Sequence, residues 1–495
     1  MITEAIFDWA RKTPDKTAVI YNEQRWSYRS FAEHISLARG YFLKHGYSGP
    51  GYAVLAIRNR MEFWVLSLAL RSLGLTTVAV GSAAVLADLS LSDIRCVISG
   101  EGEAWPDLDR LCQARGLTLF SVSLQHESTP PSTMLPDSPH QPGGHILLTS
   151  GTTGRFKMLL STPAIDARFL RWRTEVTGLN QDSVLCIFSF EPWTAPGYRS
   201  AANPWLVGGT TVMEHGRQPY RALLNTSITH GTIVPALLEP ILVAPANAYP
   251  RNDAMQLAVT GGAMTCRQVE QTKARITSRI FSWLGATEIS AFACTPLEID
   301  EDQRWHRLLP HRVVEIVSEA GVPVSAGEVG HLRISTKDAH TGYLGDEATT
   351  KTHFKDGFFY PGDLAILRSD GRIALQGRST DVINAMGKKI FPAEIESRLC
   401  ESLGVSGACL VSMQNHSGEE ELYIVLESNG PVTTERLRAA LDIWKAYPRT
   451  HVRYVKSLPR NQMGKVLRQA LRDRIAADLS RPKPPTPAAS DQKPS

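Results

Sequence analysis

Leu148-Thr149-Ser150-Gly151-Thr152-Thr153-Gly154-Arg155-Phe156-Lys157 carries the end of an apolar run, HILLTS from His145, into a loop rich in glycine and hydroxyl side chains that closes on a lysine. The run has the length and content of a strand. Gly151 and Gly154 let the backbone turn sharply, N–H and hydroxyl groups can donate to phosphate oxygens, and Lys157 adds a point charge. A strand feeding such a loop suits a polyphosphate. It is not a Walker loop, which needs Gly-Lys followed by Ser or Thr, because Lys157 is separated from Gly154. A solvated turn would have the same composition, so the loop alone does not decide.

Outward from it, helical periodicity alternates with β-branched runs such as TAVIY and YAVLAI from Ile2 to about residue 135, the pattern of an α/β architecture. The apolar stretch FWVLSLALRSLGLTTVAV is broken by Arg71, Gly74 and Thr76, and reads as a core helix followed by a strand rather than a membrane span. His126 to Gly144, rich in Pro, Ser and Gly, is an exposed connection. A second α/β stretch runs to about Glu301. The runs VVEIV, GHLRIS and RIALQG, with a hairpin turn at Ser369-Asp370-Gly371, then predict a β-rich subdomain. Beyond Gly377 a helix over Ala393 to Leu403, the strands ACLVSM and ELYIVLES, and a helix from Thr434 to Lys445 predict a small α+β domain. The tail RPKPPTPAASDQKPS cannot bury enough apolar surface to order itself.

Composition narrows the function. The 495 residues are 43% hydrophobic and 21% charged, ordinary globular usage for a multi-domain chain. Lys plus Arg at 53 against Asp plus Glu at 49 gives a net charge of +4, too small and dispersed for a nucleic-acid partner. The start MITEAIFDWARKTPDK has no apolar run with a cleavage site, so no secretory signal is expected. Seven scattered cysteines without zinc-type spacing fit reduced thiols and a cytoplasmic location.

A second chemical signal lies at Leu458-Pro459-Arg460-Asn461-Gln462-Met463-Gly464-Lys465-Val466-Leu467-Arg468, where Pro459 and Gly464 set a turn that presents Lys465 before a helix. Between the two loops stand Val234-Pro235-Ala236-Leu237, Val259-Thr260-Gly261-Gly262-Ala263, Leu284-Gly285-Ala286-Thr287-Glu288, Gly327-Glu328-Val329-Gly330, Gly342-Tyr343, Pro361-Gly362-Asp363, Gly377-Arg378-Ser379-Thr380-Asp381 and Gly387-Lys388-Lys389. In that order these strings resemble the superfamily of acyl-CoA synthetases, luciferases and peptide-synthetase adenylation domains, over nearly the whole chain.

The resemblance implies an ATP-dependent, magnesium-requiring ligase that makes an acyl-AMP and passes the acyl group to coenzyme A. It implies a large multi-layer α/β N-terminal adenylation domain with a β-rich subdomain over 1–377, a hinge at 378–380, a small mobile α+β C-terminal domain over 381–478 and a disordered tail from 479. Thr149, Ser150, Gly151, Thr152, Thr153, Gly154 and Lys157 would hold the β- and γ-phosphates. Gly262 and Ala263 would line the adenine site, Gly285 and Ala286 would also bind the nucleotide, and Gly261 would belong to the substrate pocket. Thr287 would touch the α-phosphate and Glu288 would ligate magnesium. Asp363 would accept from the ribose hydroxyls, with Arg378 close by. Lys465 would serve adenylation, and the loop at Gly387 would shape the coenzyme A tunnel after domain rotation.

The chain departs from the family pattern at Phe156, Leu284, Pro361, Thr380 and Asn384; Trp283 or Phe281 could replace the missing adenine-packing aromatic at Leu284. In the acyl-pocket segment Phe188 to Arg199, Trp193 and Tyr198 could wall an aromatic or medium hydrophobic acid. Arg199 could meet a second carboxylate or hydroxyl, or be solvated, and Glu191 could bind a substrate ammonium. The expected partners are a small carboxylic acid and coenzyme A, with a carrier protein or an amine as alternative acceptors, in a monomer or homodimer. A non-catalytic nucleotide-binding relative is disfavoured because Lys157, Glu288, Asp363, Arg378 and Lys465 are all present.

Overall fold

The computed structural model describes residues 2–103, 105–122, 138–150, 156–188, 190–213, 220–385, 388–415, 420–428, 430–440, 449–460 and 466–479. The chain divides into two compact units, Met1–Leu375 and Gln376–Ser495.

The first unit is α/β, as the alternation of periodicities predicts. In its eight-stranded sheet, the strands Ile280–Ala286, Gln256–Thr260, His230–Ile233, Val184–Ile187, Thr210–Met213 and Thr17–Tyr21 run parallel in that spatial order, with Ser290–Pro296 and Gln24–Ser27 antiparallel at the edges. A six-stranded sheet has His145–Ser150 next to its edge, paired antiparallel with Phe156–Ser161 so that Thr149 faces Lys157. The parallel strands are short apolar runs because helices cover them. The stretch quoted above as core helix and strand is the buried helix Arg60–Ser72 and the strand Thr76–Ala79. The β-rich subdomain is a separate sheet holding Val314–Val317, Val329–Ser335, Asp363–Leu367 and Arg372–Arg378.

Two helices between the sheets matter for the site. Pro163–Thr177 starts on a Thr162 cap and ends at Gly178 in the left-handed conformation, where no Cβ penalty applies. Ala195–Leu206 starts where the Thr194 hydroxyl accepts from the Gly197 N–H. The second is buried along almost its whole length, which is why its sequence, APGYRSAANPWL, uses small residues.

In the second unit, Gly407–Gln414 pairs antiparallel with Glu420–Glu427, which pairs parallel with Thr450–Val455. Pro392–Leu403, Thr434–Ala440 and Arg468–Leu479 are its described helices. Arg468 makes a fork on Glu396 at 2.6 and 2.7 Å and reaches Asp381 at 3.2 Å. That network anchors the helix that follows the Lys465 loop.

Candidate active site

Lys157 and Glu288, 131 positions apart in sequence, meet on one side chain. The Lys157 ammonium lies 4.8 Å from the centroid of the Tyr343 ring, and the Tyr343 hydroxyl donates to Glu288 Oε1 at 2.7 Å. A cation over an aromatic face and a hydroxyl on a carboxylate are both favourable, so one phenol tethers both charges. Lys157 Nζ also sits 3.1 Å from His353 Nε2. The backbone sets this up: His340 N–H donates to the Glu288 carbonyl and Leu344 N–H to the Met158 carbonyl. The segment between them therefore spans from the Glu288 turn to the Lys157 strand.

Glu288 belongs to the turn between Ile280–Ala286 and Ser290–Pro296, at the carboxyl edge of the parallel strands. The turn is tight: Ser290 adopts φ +62°, and a Cβ on Gly285 would meet the Ser290 carbonyl oxygen at 2.6 Å. Such left-handed backbone in a non-glycine residue persists only where neighbours hold it. Arg199 is one holder, donating from Nη1 to the Thr287 carbonyl at 3.0 Å and from Nη2 to His340 Nε2 at 3.3 Å, over the Phe169 ring. Burial, and then the Arg199 charge, push the His340 pKa down to about 3, so the ring is neutral and can accept. On the adjoining strand, Gly261 at φ +82° turns the chain after Thr260, leaving Gly261, Gly262 and Ala263 exposed at the same edge. Carboxyl ends of neighbouring parallel strands are where open α/β sheets bind ligands.

Thr287 is half-buried in this turn, Gly285 and Ala286 close the strand before it, and Asp363 opens its strand half-buried after Gly362. Arg378 ends the strand Arg372–Arg378 and belongs to the second unit. Gly151, Thr152, Thr153, Gly154, Gly387, Lys465 and the side chain of Ser150 lie outside the described residues. The Lys465 loop is flanked by a bridge between Arg460 and Val466.

The acyl-pocket expectations need correction. Tyr198 walls no open pocket: it is fully buried, donates to Asp166 at 2.6 Å, accepts from Arg71, and stacks between His145 and Trp64. Glu191 is paired with the buried Arg60 at 3.2 Å, so an interior cation already claims it. Arg199 is not solvated, and what it grips is the Thr287 backbone. Trp283 lies under the Arg173 guanidinium at 5.1 Å and, with Phe281, lines a small cavity. Trp193 is half-buried, and a Cβ on Gly81 would touch its ring at 3.1 Å.

A family model described as AMP-binding enzyme matches residues 6–344. The chain belongs to that family. It is 25% identical to the 2-succinylbenzoate–CoA ligase of Bacillus licheniformis, over 93% of this chain and 98% of the relative. It is 24% identical to the 2,3-dihydroxybenzoate-AMP ligase of Bacillus subtilis, over 95% and 93%. Among solved structures it is similar to the O-succinylbenzoate coenzyme A synthetase of Bacillus subtilis in complex with ATP and magnesium, with a TM-score of 0.80 at 18% identity, over 95% of this chain and 99% of that one. The α/β fold with its small α+β unit is that of the adenylate-forming enzymes.

Magnesium suits the residues present. Among the described residues no three or more His, Cys, Asp or Glu side chains could hold a metal, so no all-protein cage exists there. A single oriented carboxylate, Glu288, fits an ion that takes most of its ligands from phosphates and water.

Proposed function

We propose that this protein activates an aromatic or medium-sized hydrophobic carboxylic acid by attack of its carboxylate on the α-phosphorus of ATP. Pyrophosphate leaves, and the acyl group of the resulting acyl-adenylate passes to the thiol of coenzyme A. The observation that carries this reading is the convergence of Lys157 and Glu288 on Tyr343 at the edge that also presents Gly262 and Thr287. Two anions must meet, so the protein's task is positioning and charge neutralisation. Lys157 and the loop before it hold the β- and γ-phosphates; Glu288 holds magnesium, which supplies Lewis-acid neutralisation of phosphate charge. Thr287 touches the α-phosphate, Asp363 receives the ribose hydroxyls, and Lys465 bears on the charge that develops at the α-phosphate. In this reading the second unit pivots at 378–380, exchanging Lys465 for the Gly387 loop.

The names of full-length CoA-ligase relatives support coenzyme A as acceptor. The AMP-ligase relative favours a second reading, transfer to a separate carrier protein. None of the seven cysteines is joined in a disulfide, as a reducing compartment such as the cytoplasm would keep them. No described helix is long and apolar enough to cross a membrane.

Hydroxylamine trapping over aryl, fatty and amino acids, run with and without coenzyme A, tests the reading. Hydroxamate from aryl or medium hydrophobic acids, with thioester once coenzyme A is added, is the expected result. A signal from amino acids alone would overturn the substrate class. Lys465→Ala should abolish acid-dependent pyrophosphate exchange, and retained exchange would remove that lysine from the mechanism.

A further inference from the structure

The two partners of the Lys157 ammonium differ in kind. The Tyr343 ring attracts a cation over its face without fixing where its N–H bonds point, whereas a ring nitrogen of His353 offers a lone pair in one direction. Lys157 Nζ lies 3.1 Å from His353 Nε2. The other ring nitrogen decides which of the two donates. His353 Nδ1 lies 2.8 Å from the Tyr360 carbonyl oxygen, which can only accept, so Nδ1 carries the proton. In the neutral ring Nε2 then keeps its lone pair, and the ammonium is the donor.

The ring is itself held in place. Tyr360 N–H donates back to the His353 carbonyl at 2.7 Å, so the two residues clasp each other by main chain and side chain. The imidazole stands edge-on to Tyr343, with centroids 6.1 Å apart and planes at 90°, and leans on Phe359 at 6.2 Å. His353 closes the helix Glu347–His353, and the chain turns back through the paired strands Phe354–Lys355 and Phe358–Phe359 to reach Tyr360. Asp363 follows three residues later. One imidazole thus ties Lys157 to the segment that leads into Asp363, as one phenol ties Lys157 to Glu288.

We propose that His353 is a positioning residue for ATP: its Nε2 lone pair holds the Lys157 ammonium by one N–H and leaves the remaining donors for the β- and γ-phosphates. The proposal rests on the reading above, in which Lys157 receives those phosphates, and names the residue that aims it. A lysine has a long flexible stem, and a phosphate that must immobilise it loses part of the binding energy to that ordering. A lysine already oriented loses less. The benefit belongs to nucleotide affinity, because His353 reaches the substrate only through Lys157.

The test is calorimetric titration of the full-length protein with ATP and magnesium, for the parent, His353→Phe and His353→Gln. Phenylalanine keeps a ring against Tyr343 and Phe359 and removes the acceptor; glutamine restores an acceptor. We expect the Kd for ATP to rise on the order of tenfold in His353→Phe and to stay within about threefold of the parent in His353→Gln. A second arm repeats the comparison on a Lys157→Met background. There His353→Phe should change Kd by less than about twofold, since nothing remains for the ring to aim. An unchanged Kd in His353→Phe, an equal effect with and without Lys157, or a loss in His353→Gln as large as in His353→Phe overturns the proposal and makes His353 a packing residue. Tighter binding by His353→Phe overturns it the other way, with the ring withholding Lys157 from the phosphates. If His353→Phe fails to fold, His353→Leu takes its place in both arms. A parent that binds ATP yet exchanges pyrophosphate with no acid overturns the adenylation reading alone, and a parent that binds no ATP overturns both.

Discussion

The Thr287-Glu288 turn and the cavity behind it are a few residues apart on one strand, and they treat charge in opposite ways. At the turn, each charged side chain already has a partner: Lys157 has His353 and the Tyr343 face, Glu288 has the Tyr343 hydroxyl, and Arg199 has the Thr287 carbonyl. At the cavity, Arg173 and Asn203 keep valences that no protein atom fills. Groups oriented before the nucleotide arrives need no reorganisation when charge develops, which suits a step common to every acid. The contrast sets charges already partnered against polar atoms that no protein group meets, along a single strand.

The largest expected effect tests the catalytic side of that contrast. Glu288→Gln keeps the shape and the acceptor for Tyr343 but removes the charge offered to magnesium, and we expect kcat for pyrophosphate exchange to fall on the order of 10²–10³-fold. Titrating magnesium should show a higher requirement, while the ranking of acids stays as in the parent. A variant that changes the ranking of acids and not kcat would place Glu288 at the acid rather than at magnesium.

The sequence reveals the two regions unequally, for physical reasons. Generic chemistry is written in contiguous strings, because a tight turn or a backbone cradle needs neighbouring residues of fixed type; hence Leu284-Gly285-Ala286-Thr287-Glu288 and the glycine- and hydroxyl-rich stretch from Thr149 to Lys157 stand out. The alternation that marks the α/β layers, the β-rich sheet and the C-terminal strands is equally local, and those elements lie within a residue or two of where periodicity sets them. Contacts between faces of separate elements leave no such string. Arg173 lies on a helix with nothing around it in sequence to mark it, and its partner Ser200 is 27 positions away. Tyr198 and Arg199 are adjacent in the chain but point into different environments, one into the Arg71–Asp166 network and one to the turn, so a single pocket role for the segment could not hold. In the sequence Tyr343 stands out only as half of a Gly-Tyr pair. Its use as a common tether appears once the strand and the turn are placed in space.

Tyr343→Phe is a smaller perturbation of the same tether. The ring remains under Lys157, and only the hydroxyl that donates to Glu288 is lost. A hydrogen bond to a charged group contributes about 1.5–3 kcal/mol, so exchange activity should fall by roughly tenfold or more. The loss should be read in the dependence on magnesium and ATP, with the KM for the acid unmoved. A KM effect confined to the acid would mean that Tyr343 serves the pocket rather than the phosphates.

The smallest expected effect is on stability, and it probes why the turn needs a neutral partner for Arg199. His340 is buried, and its pKa is lowered from 6.5 to about 3. Its neutral form is therefore favoured by folding: the contribution is fully present above pH 6.5, is lost as pH falls below that value, and levels off near pH 3. Between pH 7.5 and pH 5 the loss from this one ring amounts to about 2 kcal/mol. His306, lowered to about 4, and His145 act in the same direction, so the parent protein should lose more than this in total. His340→Gln keeps an acceptor for Arg199 and removes the titration. Its urea midpoint should therefore fall less than the parent's between those two pH values, by the equivalent of about 2 kcal/mol. Equal falls in the two proteins would mean that His340 can be protonated beside Arg199 at little cost. The turn would then hold a tolerated like charge, and the contrast between a satisfied turn and an unsatisfied cavity would lose its electrostatic basis.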